Sequence, residues 1–273
     1  MELVTVDDGA RLATWTTGAV RDHPPVVLPH GGPGLWDYLQ PLAELLDDLT
    51  LVHRYDQRGC GRSDPDGPLT MARYLADLDE LRGHWGHERW TVIGHSFGAT
   101  LALAYAATYP EHAAAVGYIC GVGIGNWQEP FRDEKRRRAH PHQQRLDELA
   151  AKVRGPEEER EWRALTWSTD YADTDRGYEF ALPMAEQPWP INLDANRAVT
   201  FSDDDCITWA AQLRCPITFV LGAADPRPAA NALLLAERIA GSRRWLLENA
   251  GHLPWFEQRD QVAALVREIV QDA

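Results

Sequence analysis

The chain has 273 residues, 44% hydrophobic and 25% charged, a balance that suits a globular fold of one large domain or a core with an inserted subdomain. Its formal net charge of −14 repels phosphate backbones and anionic bilayers, which argues against nucleic acid and membrane surfaces as partners. No apolar run approaches the ~20 residues of a membrane span, no basic start leads into an apolar core as in a secretion signal, and Cys60, Cys120, Cys206 and Cys215 form neither a CxxC pair nor a metal spacing. A cytoplasmic protein without a metal is expected.

Along the chain, "LVTV" (3–6) and "RLATWTT" (11–17) flank "DDGA" and read as a hairpin. Short apolar runs follow at 25–28 (PVVL), 50–55 (TLVHRY), 89–93 (RWTVI) and 115–119 (AVGYI). After a long break come 217–221 (ITFVL) and 243–247 (RRWLL). Parallel strands covered on both faces have this texture. Between them, Met71, Tyr74, Leu75, Leu78, Leu81 and Trp85 recur at helical spacing behind Thr70, an N-cap residue type. Residues 97–109 are apolar nearly all round and predict a helix buried against the sheet. Residues 259–270 put Val262, Leu265, Val266 and Ile269 on one helical face. Strands alternating with helices predict an α/β fold with a mostly parallel, doubly wound sheet.

Residues 126–205 break this rhythm. They are rich in charge, proline and tryptophan, and 129–153 and 155–172 read as helices. The expected division is a core from 1–125, a helical cap inserted at 126–205, and the rest of the core at 206–273. Arg136, Arg137 and Arg138 stand in a run of mixed sign that reads as a solvated helix face.

The residues with most chemical content are Gly94-His95-Ser96-Phe97-Gly98, between a strand and the buried helix. A serine on such a strand-to-helix turn projects above the sheet edge as a nucleophile elbow, where the helix N-terminus favours a developing anion. Its hydroxyl needs a base. His252, in "NAGHLPWFEQ", follows the last strand-like run and reaches the same sheet edge, whereas His95 reads as a pocket wall and His30 as a holder of its loop. Asp225, after "ITFVLGAA", would hold the tautomer of His252. The oxyanion needs donors: the Phe97 N–H, and the Gly32 N–H from the bare loop His30-Gly31-Gly32-Pro33-Gly34. Pro33 has no N–H to give.

Three blocks, "HGGPG" (30–34), "YDQRGCGRSD" (55–64) and "GHSFGATLALAYAATYPEH" (94–112), make the chain resemble the α/β-hydrolase superfamily, within it the proline iminopeptidase-like branch. The resemblance implies an α/β-hydrolase fold and a catalytic triad of Ser96, Asp225 and His252, in the chain order of that fold. It implies an oxyanion hole at Gly32 and Phe97, and structural roles for Asp56, Arg58 and Arg62. It also implies a cofactor-free serine hydrolase with an acyl-enzyme intermediate, acting on a small amide or a peptide N-terminus. Two departures concern the substrate. The family reads "GGSWG" at the elbow, and its amine-clamping glutamates have no counterpart at Ser168 or Pro226. Glu161, Asp170, Asp173 and Glu179 are the cap acids that could replace them. A carboxylesterase or lactonase acting on a small apolar ester is the alternative, and a non-catalytic hydrolase-like receptor is the alternative outside enzymes. His95, Trp127, Trp167 and Trp189 are expected to bind the substrate, with Trp162, Tyr171 and Tyr178 as further cap aromatics that could wall a pocket.

Overall fold

The computed structural model describes residues 1–65 and 67–273. Its strands are β1 (Glu2–Thr5), β2 (Arg11–Thr17), β3 (Val26–Leu28), β4 (Val52–Tyr55), β5 (Trp90–His95), β6 (Ala113–Ile119), β7 (Ile217–Gly222) and β8 (Arg243–Leu247). They form one sheet in the order β1-β2-β4-β3-β5-β6-β7-β8. β1 pairs antiparallel with β2 and β2 with β4, and the remaining pairs are parallel. Every residue of β3 to β7 is buried, which explains why these strands read as continuous apolar runs rather than alternating ones.

Two hydrophobic clusters cover the faces. One is built on the helices Met71–His84, Phe97–Thr108 and Ala229–Ala236, the other on Arg259–Gln271 and the residues around Leu39 to Leu46. Thr70 caps its helix by accepting from the Arg73 N–H, as its position predicts. Phe97–Thr108 buries Phe97 through Ala107 without a polar face. This helix lies close to the loop after β3 because Gly98 has no side chain; a Cβ there would meet the Pro29 carbonyl oxygen at 2.0 Å.

Six helices and a 3-10 turn, with no strand among the described residues, run between β6 and β7. The stretch 129–153 is not one helix. Gln128–Ala139 gives way to a 3-10 turn at His140–His142 and then to Gln143–Ala150, because Pro141 cannot continue the hydrogen-bond ladder. The helix Asp203–Gln212, capped by Ser202, straddles residue 206 and packs on Phe97–Thr108. Arg136 and Arg137 are solvated as expected, with side chains 74% and 71% exposed. Arg138 departs from that expectation. It is 10% exposed, and its guanidinium donates to the carbonyls of Thr169 (3.1 Å), Tyr171 (2.8 Å) and Ala224 (2.7 Å), joining the inserted helices to the loop after β7.

Candidate active site

Ser96 sits between β5 and the buried helix with φ 57° and ψ −120°, a conformation few side chains adopt. Its N–H donates to the Ile119 carbonyl at 2.9 Å, which fixes the turn against β6. Gly94 permits the turn, since a Cβ there would stand 1.9 Å from the Gly98 oxygen. Opposite, a Cβ on Gly31 would stand 2.3 Å from the Tyr38 hydroxyl and 2.9 Å from the Ser96 Cβ, so the bare loop is what lets backbone approach the serine. Gly32 and Phe97 flank Ser96 around one cavity, and neither N–H donates to a described group. His30 secures the loop. Its Nδ1–H donates to the Gly31 carbonyl (2.7 Å), its Nε2 accepts from the Gln57 N–H (3.0 Å), and Gln57 Nε2 donates to the His30 carbonyl (2.7 Å). Burial holds this imidazole below its ordinary pKa, which suits the neutral tautomer.

Asp225 follows β7, and its Oδ2 lies 2.6 Å from His252 Nδ1. Its Oδ1 accepts from the Arg227 N–H at 2.9 Å. His252 Nε2 has no partner among the described residues, and His252 lines the same cavity as Ser96. The His252 N–H donates to the Asp170 carbonyl at 2.7 Å, and its carbonyl accepts from His95 Nε2 at 2.8 Å. His95 Nδ1 then accepts from the Tyr38 hydroxyl (2.6 Å), which itself accepts from the Gly31 N–H (2.9 Å). One chain of hydrogen bonds thus joins the bare loop to the His252 backbone. Burial, then the neighbouring His252 ring, holds His95 well below the usual imidazole range.

Two cavities meet at Ser96. The smaller, about 110 Å³, is lined by Gly32, Tyr38, His95, Trp167, Asp170 and His252 among others. The larger, about 830 Å³, is lined by Gly32, Phe97, Trp127, Phe131, Asp203 and Arg227 among others. Trp127 and Trp167 therefore reach the site, and Tyr171 lines the smaller cavity. Trp189 lines neither: it packs under the Arg62 guanidinium at 5.1 Å, away from Ser96. Trp162 and Tyr178 also line neither cavity. His95 is at the wall, with both ring nitrogens spent on the protein.

Of the four cap acids considered, Asp170 alone lines either cavity. Glu161 is paired with Arg145, and Asp173 caps the helix Thr174–Ala185. Asp170 is already doubly paired, Oδ1 with Arg227 (2.8 Å) and Oδ2 with Lys135 (3.2 Å). Burial alone would raise its pKa, but Lys135 and Arg227 more than offset that and hold it below the usual carboxylate range. Cys120 Sγ, the Asp225 carboxylate and a His252 nitrogen lie within 4.8 Å of one another. Burial pushes the Cys120 thiol well above its ordinary pKa.

A model of the alpha/beta hydrolase fold family matches residues 24–258. The chain belongs to this family. It is 28% identical over 266 residues to a proline iminopeptidase of Saccharolobus solfataricus, covering 88% of this chain and 83% of that protein. Among solved structures, a thermophilic esterase from Thermogutta terrifontis superposes with a TM-score of 0.73 at 24% identity, covering 99% of this chain and 98% of the other. The enol-lactonase from Burkholderia xenovorans LB400 gives 0.66 at 21% identity, covering 99% and 100%. The two structural likenesses carry the fold. The family match and the relative matched over 88% of this chain make the protein a hydrolytic enzyme similar to the proline iminopeptidase-like branch.

In this hydrolase the loop after β4 is held as the "DQRGCGRS" resemblance implies. Buried Asp56 accepts from the N–H groups of Asp37 (2.6 Å) and Arg62 (2.7 Å), and Arg58 forks onto Asp77 at 2.9 and 2.6 Å. Sequence reasoning missed Tyr38 and Arg227. Tyr38 lies 57 positions from His95, and nothing in "LWDYLQ" announces the pairing. Arg227 had a signal in its spacing, two residues after Asp225, but "DPRP" reads as a turn. No helix of the described residues is long and apolar enough to cross a membrane.

Proposed function

We propose that this hydrolase cleaves small amides or esters through a triad of Ser96, His252 and Asp225. The 2.6 Å contact of Asp225 with His252 Nδ1, which leaves Nε2 free on the cavity that Ser96 lines, carries the reading. His252 Nε2 takes the Ser96 proton as Oγ adds to the substrate carbonyl. The oxyanion is received by the unspent N–H groups of Gly32 and Phe97. The proton passes to the leaving group, the C–N or C–O bond breaks, and an acyl-Ser96 ester remains. Water, deprotonated by the same Nε2, attacks that ester; collapse releases the acid and returns the proton to Ser96. Asp225 fixes the tautomer and faces the imidazolium throughout. Residues 126–205 serve as a helical cap, contributing Trp127, Trp167 and Asp170 to the walls. A small molecule or a short peptide is the substrate, and the setting is cytoplasmic.

The likeness to a proline iminopeptidase supports a peptide N-terminus as substrate. A second reading, an ester or lactone, is favoured by the double pairing of Asp170, whose charge is already matched by Lys135 and Arg227 and so is not held in reserve for an ammonium. Rates on a prolyl arylamide, its N-blocked form and a simple aryl ester separate the two. Preference for the free amine supports the peptidase; indifference to it, with fast ester cleavage, supports the esterase. In either case Ser96→Ala removes turnover, and His252→Ala lowers it by about 10³-fold or more. Near-normal turnover in either variant contradicts the triad.

A further inference from the structure

Arg227 is the charged side chain common to both cavities at Ser96. Its Nη1 is committed, donating to Asp170 Oδ1 at 2.8 Å and reaching Asp225 Oδ1 at 3.4 Å. Its guanidinium face rests over Phe131, 4.5 Å from the ring centroid. The group is therefore anchored at one nitrogen and one face. The opposite edge, Nε–H with Nη2–H, has no acceptor among the described residues, and the side chain remains 17% exposed.

That edge is a fork matched to a carboxylate. This protein uses it so elsewhere: Arg11 with Asp64, Arg58 with Asp77, Arg82 with Asp79, Arg137 with Glu134 and Arg145 with Glu161 all pair through Nε and Nη2. At Arg227 the same fork is left to the cavities. The charges around Arg227 balance, with Lys135 and Arg227 set against Asp170 and Asp225, so the open fork is an unspent donor pair rather than part of a net positive field. Each oxygen of Asp170, on the smaller cavity, already faces a cation, Arg227 or Lys135, and Asp203, on the larger cavity, is exposed and accepts from the Gly125 N–H at 2.9 Å.

We propose that the Nε/Nη2 edge of Arg227 is a carboxylate subsite, and that the substrates are small esters, lactones or amides bearing a carboxylate near the scissile carbonyl. The proposal rests on the hydrolase reading above and narrows it to a substrate class. The carboxylate can belong to the acyl part, as in a dicarboxylic half-ester, or to the leaving part, as in a dipeptide.

Calorimetric binding to Ser96→Ala protein tests the subsite apart from turnover. Phenyl hydrogen glutarate is compared with phenyl methyl glutarate for the acyl side, and prolylglycine with prolylglycinamide for the leaving side. At least one carboxylate should bind tenfold or more tightly than its neutral partner. Adding Arg227→Gln should erase that margin; adding Arg227→Lys, which keeps the charge beside Asp170 and Asp225 but loses the fork, should shrink it several-fold. Equal affinities within both pairs, or a margin that survives Arg227→Gln, overturns the subsite. If Arg227→Gln does not fold, the lysine variant and the single-variant pairs decide. Wild-type turnover of the same compounds then addresses the chemistry separately: a binding margin without hydrolysis contradicts the hydrolase reading and leaves the subsite standing.

Discussion

His95 neighbours Ser96, yet both its ring nitrogens are spent, one on the Tyr38 hydroxyl and one on the His252 carbonyl. It works as a spacer between the Gly31 loop and the His252 backbone. Tyr38→Phe cuts this link and leaves the Gly31 N–H and His95 Nδ1 without partners. A buried orphan costs about 1–3 kcal/mol, so a lower melting temperature is expected. If the relay sets the geometry of the loop and of His252, kcat should also fall by roughly tenfold with little change in KM, since only the transition state feels the loop position. Steady-state kinetics check this; an unchanged kcat would show that the loop holds itself. Ser96, Asp225 and His252 could be singled out from the sequence because each follows a strand at one sheet edge, a placement that chain order alone reveals. Tyr38 and Arg227 were not legible, because their meaning lies in partners distant in sequence. Trp189 shows the converse, since an aromatic residue in the cap carries no mark of whether it faces substrate or an arginine.

At the scale of elements, the site depends on close approach. The buried helix can press against the loop after β3 only because Gly98 is bare, and Gly98→Ala would drive a Cβ into the Pro29 carbonyl. Loss of more than about 3 kcal/mol is expected; a urea midpoint within error of wild type would refute that packing argument. The helix Gln128–Ala139 makes a different kind of join. Glu134 receives Arg137 and Arg138, each at 2.6 Å, and together they pull its pKa down from 4.5 to about 2. A depressed carboxyl stabilises the fold above its unfolded pKa, and that contribution fades as pH falls from ~4.5 towards ~2. Glu134→Gln should therefore cost about 1 kcal/mol near pH 7, after solvent screening, and progressively less below pH ~4.5. Melts of both proteins across that range read the difference directly, and a gap that widens in acid would reverse the sign. The sequence pointed to a solvated face here, true of Arg136 and Arg137. Arg138 differs because its carbonyl acceptors come from segments 31 to 86 residues away.

For the whole molecule, all eight strands could be read from the chain: β3 to β7 because strands buried on both faces leave unbroken apolar runs, β1 and β2 as a hairpin around a turn, and β8 from its short apolar run although most of it is exposed. The order in which they pair, with β4 beside β2 and β3 between β4 and β5, required the coordinates. Of the inserted helices, those within 129–153 and 155–172 were legible, though not the break at Pro141, which competes with strong flanking helix formers; Thr174–Ala185, Leu193–Ala198 and Asp203–Gln212 were covered only by the general expectation of a helical insertion. The architecture brings the ends of β5, β7 and β8 and the loop after β3 to one place, and two cavities open there beneath the inserted helices. The central claim is that this place holds an activated serine. Intact-mass measurement after exposure to a fluorophosphonate tests it most directly. One adduct per chain is predicted on the wild type, none on Ser96→Ala, and a greatly slowed reaction on His252→Ala. An unlabelled wild type, or an adduct that persists in Ser96→Ala, would contradict the account.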